Sequence, residues 1–175
     1  MTKLFIAESK EVVEDFVKIQ AYLEKRGVAL ERWEAQFPLS DEDGQEKILK
    51  AYEHKLKPYM EFRGFQSADV INVHPKLENI EMIRQKFLKE HTHSEDEVRF
   101  FVDGEGKFWF HFESGEVVGL LCTKGDFLAV PAGFTHWFDL APKYHVKAIR
   151  LFTSPEGWVA KYTESGIDEI HNGSF

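Results

Sequence analysis

A change of hydrophobic period near residue 91 restricts this chain more than any other feature of its sequence. Before it, apolar residues recur at helical spacing; after it, they alternate with polar ones in short runs. Upstream, "EVVEDFVKIQAYLEKRG" brings Val12, Val13, Phe16, Val17 and Leu23 near a helical period, with Ser9 expected as cap and Gly27 as stop. "ALERWEAQ" then reads as a short strand, and "SDEDGQEKILKAYEHKLKPYM" as a second helix with Ile48, Tyr52 and Leu56 on one face. Pro58 is expected to end or kink that helix, because proline has no N–H to donate and its ring crowds the preceding turn. "ADVINV" predicts a strand, and "LENIEMIRQKFL" a third helix turning Ile80, Ile83, Phe87 and Leu88 inward.

From residue 91 on, "EVRFFVD", "KFWFHFE", "EVVGLLCT", "DFLAV", "THWFDLA" and "HVKAIRLF" read as six short strands. Turn signals part them: Asp103-Gly104, Ser114-Gly115, Lys124-Gly125, Pro131-Ala132-Gly133 and Ala141-Pro142. Short strands with tight turns imply a β-sandwich or barrel. No repeat, low-complexity tract or linker interrupts the chain, so the helices are expected to pack on the barrel in one domain, residues 1–175. Its parts are a helix-rich flank (1–90), a β-barrel core (91–152) and a C-terminal segment (153–175).

Composition narrows the partners. With 43% hydrophobic residues and 16 Phe in 175, the chain can bury a real core. A net charge of −8 disfavours nucleic acid and anionic membrane surfaces, both of which attract basic patches. Cys122, the one cysteine, sits in an apolar run and has no disulfide partner, which fits a buried thiol in a reducing compartment. "MTKLFIAESK" lacks the apolar core of a signal peptide, and no uninterrupted apolar stretch is long enough to span a bilayer. A soluble cytoplasmic protein is the expectation, and its acidic, patch-poor surface points to a monomer.

"HTHSEDEVRFFVDG", residues 91–104, holds two histidines one residue apart and a glutamate four further on. Side chains alternate along a strand, so His91, His93, Glu97, Arg99 and Phe101 share one face if no bulge intervenes. Imidazole and carboxylate are ligand types for Fe, Ni, Zn, Co or Mn. A fourth ligand should come from a neighbouring strand, and His136 in "GDFLAVPAGFTH" is the candidate. From composition alone, the first pattern is expected roughly 0.06 times per chain and the second roughly 0.001 times. Arg99, inside a barrel, needs an acidic partner or a substrate anion, since an unpaired buried charge is very costly. The same argument applies to Arg150 in "AIRLF". His54, His74, His145 and His171 read as surface or turn residues, and His111, facing opposite Phe110 and Phe112, as structural.

The two segments resemble the paired signature motifs of the cupin superfamily, one from His91 through Glu97 to Gly104, the other from Gly125 to His136. Gln85 stands where that family carries a glycine, and Leu140 where an asparagine is usual. A closer resemblance covers almost the whole chain. "KFLKEHTHSEDEVRFFVDG", "PAGFTHWFDL", "AIRLF" and "PEGWVAKYT", with "LERW" in the N-terminal half, are similar to the acireductone dioxygenase family of methionine salvage. The resemblance implies a mainly β fold with a helical N-terminal part: a cupin-type double-stranded β-helix (jelly-roll) barrel flanked by helices. It implies one divalent metal per chain, Fe2+ or Ni2+, held by His91, His93, Glu97 and His136, with two positions open to substrate. The implied reaction cleaves 1,2-dihydroxy-3-keto-5-methylthiopentene with O2. The iron form would give formate and 4-methylthio-2-oxobutanoate; the nickel form 3-methylthiopropionate, formate and carbon monoxide. Arg99 and Arg150 would be catalytic, and Phe87, Phe138 and Trp158 would hold the substrate tail and exclude water. The competing readings are another cupin metalloenzyme, such as a sugar-phosphate isomerase using the two arginines for phosphate, and a non-catalytic binding module.

Overall fold

The computed structural model describes residues 1–171; residues 172–175, the end of the expected C-terminal segment, lie outside the described residues. The N-terminal half runs β1 (Lys3–Ile6), β2 (Glu11–Val13), α1 (Phe16–Glu24), β3 (Ala29–Arg32), α2 (Gln45–Arg63), β4 (Ser67–Val73) and α3 (Ile80–Leu88). The period-two half follows as β5 (His91–Thr92), β6 (Glu97–His111), β7 (Val117–Thr123), β8 (Asp126–Val130), β9 (Thr135–Asp139) and β10 (Val146–Phe152). β11 (Lys161–Tyr162) and α4 (Ile167–Ile170) close the described chain.

All pairings are antiparallel and form two sheets, β11-β5-β9-β6-β7-β1-β2 and β3-β8-β6-β10-β4. β6 belongs to both. Its first part pairs with β8 and β10, and its second part with β7 and β9. Phe101 lies opposite Ala148 while Asp103 lies opposite Lys147, so Val102 has no partner on β10. That extra residue is a β-bulge. It moves the inward face of β6 from odd positions (Glu97, Arg99, Phe101) to even ones (Phe108, Phe110). Gly104 completes the corner with a φ of 79°, and a Cβ there would lie 2.1 Å from the carbonyl oxygen of His145. The strands expected over 97–103 and 107–113 are therefore one strand. Asp103-Gly104, expected as a turn between them, is where the strand passes from one sheet to the other.

The space between the sheets is filled by Phe101, Phe108, Phe110, Leu128, Phe138 and Ala148 among others, closed on one side by Ile19 and Leu23 of α1. On the outer face of the second sheet, Val98, Phe100, Ile149 and Leu151 pack under Ile48, Tyr52 and Leu56 of α2. On the outer face of the first, Trp109 and Trp137 stack with centroids 5.7 Å apart beside Ile167 of α4. Both faces of the central strands are thus covered, the jelly-roll barrel flanked by helices that was expected. No helix among the described residues is long and apolar enough to cross a membrane.

Three local expectations in the N-terminal half are corrected. Val12 and Val13 are not helical; they pair with Phe5 and Leu4 as β2, so Asp15 rather than Ser9 caps α1, accepting from Lys18 N–H at 3.1 Å. Val17, expected inward, is 70% exposed. Of the two outcomes expected at Pro58, an end to α2 is ruled out: the helix continues to Arg63 and stops at Gly64 in a left-handed cap. The carbonyl that Pro58 leaves without its helical donor belongs to His54 on the exposed side of the helix, while Ile48, Tyr52 and Leu56 on the buried side keep their grip on the sheet.

Gly104→Ala should combine left-handed strain with a backbone clash, lowering stability by at least about 2 kcal/mol and the melting midpoint by roughly 4–8 °C. Gly115→Ala is the control: its φ is 85°, but nothing lies within 4 Å of the added carbon. That substitution should cost about 1 kcal/mol in the same melts.

Candidate metal centre

Three strands bring four donors to one point, and His91, His93 and Glu97 do not share one strand as expected, because the chain leaves β5 after Thr92 and re-enters a strand only at Glu97. β5 pairs with β9 through His91 opposite His136, His93 follows β5 directly, and Glu97 opens β6. All four residues are buried, and one ligand atom from each lies within 4.8 Å of the others. The rings are held by the chain that carries them. His91 Nδ1 lies 2.8 Å from the carbonyl of Lys89, His93 Nδ1 2.7 Å from that of Glu95, and His136 Nδ1 2.9 Å from that of Phe134. A carbonyl only accepts, so each Nδ1 carries the proton and donates, which leaves Nε2 as the ligating atom. In His93 and His136 that Nε2 faces Glu97 Oε2, at 2.8 and 3.0 Å. The donor set fits a divalent transition metal: three neutral imidazole nitrogens and one carboxylate, oriented before any ion arrives.

Electrostatics prepares that state at His91 and Glu97, while at His93 the carboxylate that shares the site favours the protonated ring. Burial, aided by His136, drives the His91 pKa down to about 4, so this ring is neutral near pH 7. Burial also pushes His93 down, but the hydrogen bond and charge of Glu97 outweigh it and leave its pKa raised. Glu97, which burial alone would raise, is held well below the usual carboxylate range by Arg99 and the two histidines. It is a carboxylate when a cation comes.

Arg99 and Glu97 form a buried ion pair, Nε to Oε1 at 2.7 Å, close but poorly aligned as a hydrogen bond. Arg99 also sits 4.9 Å from the Phe138 ring and 5.3 Å from Trp158. Arg150 lies directly across from it in the β6–β10 register, on the same side of β10 as Val146 and Ala148. Asp69 on β4 takes both Arg150 Nε (2.9 Å) and Nη2 (2.6 Å). Each arginine thus has its own carboxylate, which lets two like charges stand side by side.

A cavity of about 370 Å³ opens onto the cluster, and every residue expected at the site lines it: the four ligands, Arg99, Arg150, Phe87, Phe138 and Trp158. The lining also includes Phe152, Glu156 and Tyr162, which sequence reasoning missed. Strand parity reaches Phe152 from Arg150, two residues away on β10. No local signal reaches Tyr162, which arrives by pairing with His91. His111 points away from the cavity, to Glu90 Oε2 at 2.9 Å. A larger concavity, about 1140 Å³, runs along α2 between Phe37 and Phe65; it contains no histidine and is separate from the ligand cluster.

Comparison with known proteins points the same way. A family model described as "ARD/ARD' family" matches residues 6–160. An acireductone dioxygenase of Picosynechococcus sp. is 47% identical over 169 residues, covering 97% of this chain and 96% of its own length. One from Aquifex aeolicus is 46% identical over 173 residues, with 97% and 94% covered. Among solved structures, an acireductone dioxygenase from Bacillus anthracis with a cadmium ion in its active centre superposes with a TM-score of 0.83 at 32% identity. That match covers 93% of this chain and 98% of the other.

Replacing His91, His93, Glu97 or His136 singly by alanine should weaken divalent metal binding by more than about 100-fold, since losing even an outer partner of a ligand costs 10–100-fold. Equilibrium dialysis with metal analysis checks this, and near-full occupancy in any one variant removes that residue from the site.

Proposed function

This chain belongs to the ARD/ARD′ family, the acireductone dioxygenases, and on that premise we propose that it cleaves 1,2-dihydroxy-3-keto-5-methylthiopentene with O2, as a cytoplasmic monomer acting as one domain. The observation that carries the reading is the trio of backbone-anchored imidazoles around Glu97, with Arg99 beside it in a closed pocket. The resident ion in this reading is one Fe2+ or Ni2+ per chain, bound by His91, His93, Glu97 and His136. When bound, such an ion supplies Lewis acidity, which lowers the pKa of chelated hydroxyls, and a template for a two-oxygen chelate.

The protein's own groups do the rest. Glu97 and Arg99 cancel in charge, so the pocket with a dication in place keeps a positive balance suited to an enediolate anion. Arg99 is paired with Glu97 through Nε alone, and the rest of its guanidinium lines the pocket, where its N–H groups can donate to an enediolate oxygen. Arg150, held by Asp69 on β4, lines the pocket across from Arg99 and shapes its basic wall. Phe87, Phe138 and Trp158 offer apolar walls for the methylthio tail and keep water from the electron-rich substrate. A sugar-phosphate isomerase would need free cations for phosphate, and Arg150 is already committed to Asp69.

The test is reconstitution of metal-free protein with each ion separately, followed by identification of carbon products under air. Iron should give formate with 4-methylthio-2-oxobutanoate, and nickel 3-methylthiopropionate with formate and carbon monoxide. No consumption of acireductone with either ion would overturn the reading.

Arg99→Lys should keep the metal and lose turnover. A lysine cannot reproduce the planar two-donor geometry, and the expected loss is roughly 2–4 kcal/mol of transition-state stabilisation, as for a lost oxyanion donor. Metal content beside initial rates decides it; unchanged rates would make Arg99 a structural counter-charge to Glu97.

A further inference from the structure

The segment from Thr153 to Ser165 crosses the mouth of the pocket. It lays Trp158 nearly parallel to the His93 ring (centroids 5.9 Å apart, 11°) and Tyr162 edge-on to His91 (6.2 Å, 73°). Among the described residues its backbone ties to the barrel are few: the two-residue pairing of β11 with β5, and Thr163 N–H donating to the Glu90 carbonyl at 3.1 Å.

Side chains complete the attachment at both ends. At the near end Thr153 Oγ1 donates to Glu95 Oε2 at 2.6 Å. At the far end the hydroxyls of Thr163 and Ser165 both donate to Glu90 Oε1, Ser165 at 2.6 Å, while His111 Nδ1 occupies Glu90 Oε2 at 2.9 Å. Glu90 is only 2% exposed. Glu164, between the two hydroxyls, has a left-handed backbone (φ 54°) that turns both to the same oxygen. A non-glycine residue keeps that conformation only where its surroundings enforce it.

Glu90 and Glu95 bracket His91 and His93 in sequence, and Glu95 also accepts the Nδ1–H of His93 with its backbone carbonyl. The same two residues therefore hold the ligand-bearing stretch and the segment above it. We propose that Glu90 and Glu95 are positioning residues that clasp the 153–165 segment as a releasable cover over the metal pocket, pressing Trp158 and Tyr162 onto the histidines that face the substrate. Hydrogen bonds to a carboxylate are stronger than neutral ones, and releasing the cover strips a buried carboxylate of two donors, so closure at the far end is cooperative. A closed cover excludes water during reaction, and an open one admits substrate and frees product. The kinetic consequence rests on the acireductone reading; the clasp itself does not.

The experiment removes donors from the cover rather than from the metal side. Thr163→Val with Ser165→Ala alters two exposed positions that do not line the pocket. In the metal-loaded protein, trypsin cleavage after exposed Lys161 should accelerate by at least roughly tenfold, since two charge-assisted hydrogen bonds are lost and one alone is worth about that factor, because cleavage tracks the open fraction. The KM for acireductone should rise by a similar factor, with a smaller fall in kcat and unchanged metal content. Thr153→Val should act in the same direction, and Thr163→Ser, which keeps the hydroxyl, should behave as the unaltered protein. Unchanged cleavage and KM in both donor-deleted variants, or a rise in KM that appears only with loss of metal, would overturn the proposal. The cleavage arm needs no substrate, so it stays readable if the acireductone reading fails.

Discussion

Because β6 pairs with β8 and β10 along its first part and with β7 and β9 along its second, its inward face must change parity at the Val102–Gly104 corner. The site depends on that change. Glu97 and Arg99 point inward from the first part, while His136 reaches the same space from β9, opposite Phe110 in the second part. His91 is placed by pairing with His136. A one-residue slip reverses every side chain of a strand. Without the bulge, either the carboxylate or the Phe108–Phe110 wall would face away from the interior.

Burying Glu97 with Arg99 is no stability device. Desolvation of such a pair often exceeds its Coulombic gain, so a buried salt bridge is weak evidence for stability. The details fit a functional reason better. The pair is close yet misaligned, and the guanidinium is embraced by ring faces, with Phe138 at 4.9 Å, Trp158 at 5.3 Å and Phe108 at 5.4 Å. Aromatic faces attract a cation without using its N–H groups. Arg99 is therefore fixed in place by Glu97 and the ring faces with only Nε engaged on the carboxylate, and Glu97 is kept ionised by a neighbour that does not block its inward oxygen.

The ligand set was legible in the sequence because metal chemistry imposes its own residue types and spacing. Strand parity placed Glu97 and Arg99 together, correctly, since they precede the bulge. Parity carried past Gly104 would have misassigned every inward residue, because an Asp-Gly pair serves equally as a hairpin turn or a strand corner. Which one it is depends on β10, whose His145 carbonyl meets the backbone there and accepts from Glu105 N–H. Val12 and Val13 fit helical spacing but were claimed by the edge of β1, a choice settled by partners distant in sequence. Tyr162 and the hydroxyls at Thr163 and Ser165 had no local signature, because their meaning comes from His91 and Glu90 respectively, more than seventy residues earlier.

The covers of the barrel differ in kind, and the difference locates where the structure opens. α2 covers its sheet with Ile48, Tyr52 and Leu56 against Phe100 and Ile149, and burying such side chains contributes about 1.5–3 kcal/mol each. That contribution is non-directional and has no substitute in water. The 153–165 segment offers one indole to the pocket and leaves Val159 65% exposed, so its hold comes mostly from hydroxyls on carboxylates. Water takes over a broken hydrogen bond, and the net loss is only about 0.5–1.5 kcal/mol for a neutral pair and somewhat more for a charged one. Local opening follows the regions with fewest apolar contacts. The molecule therefore opens first at the mouth of the metal pocket, where a small substrate has to enter.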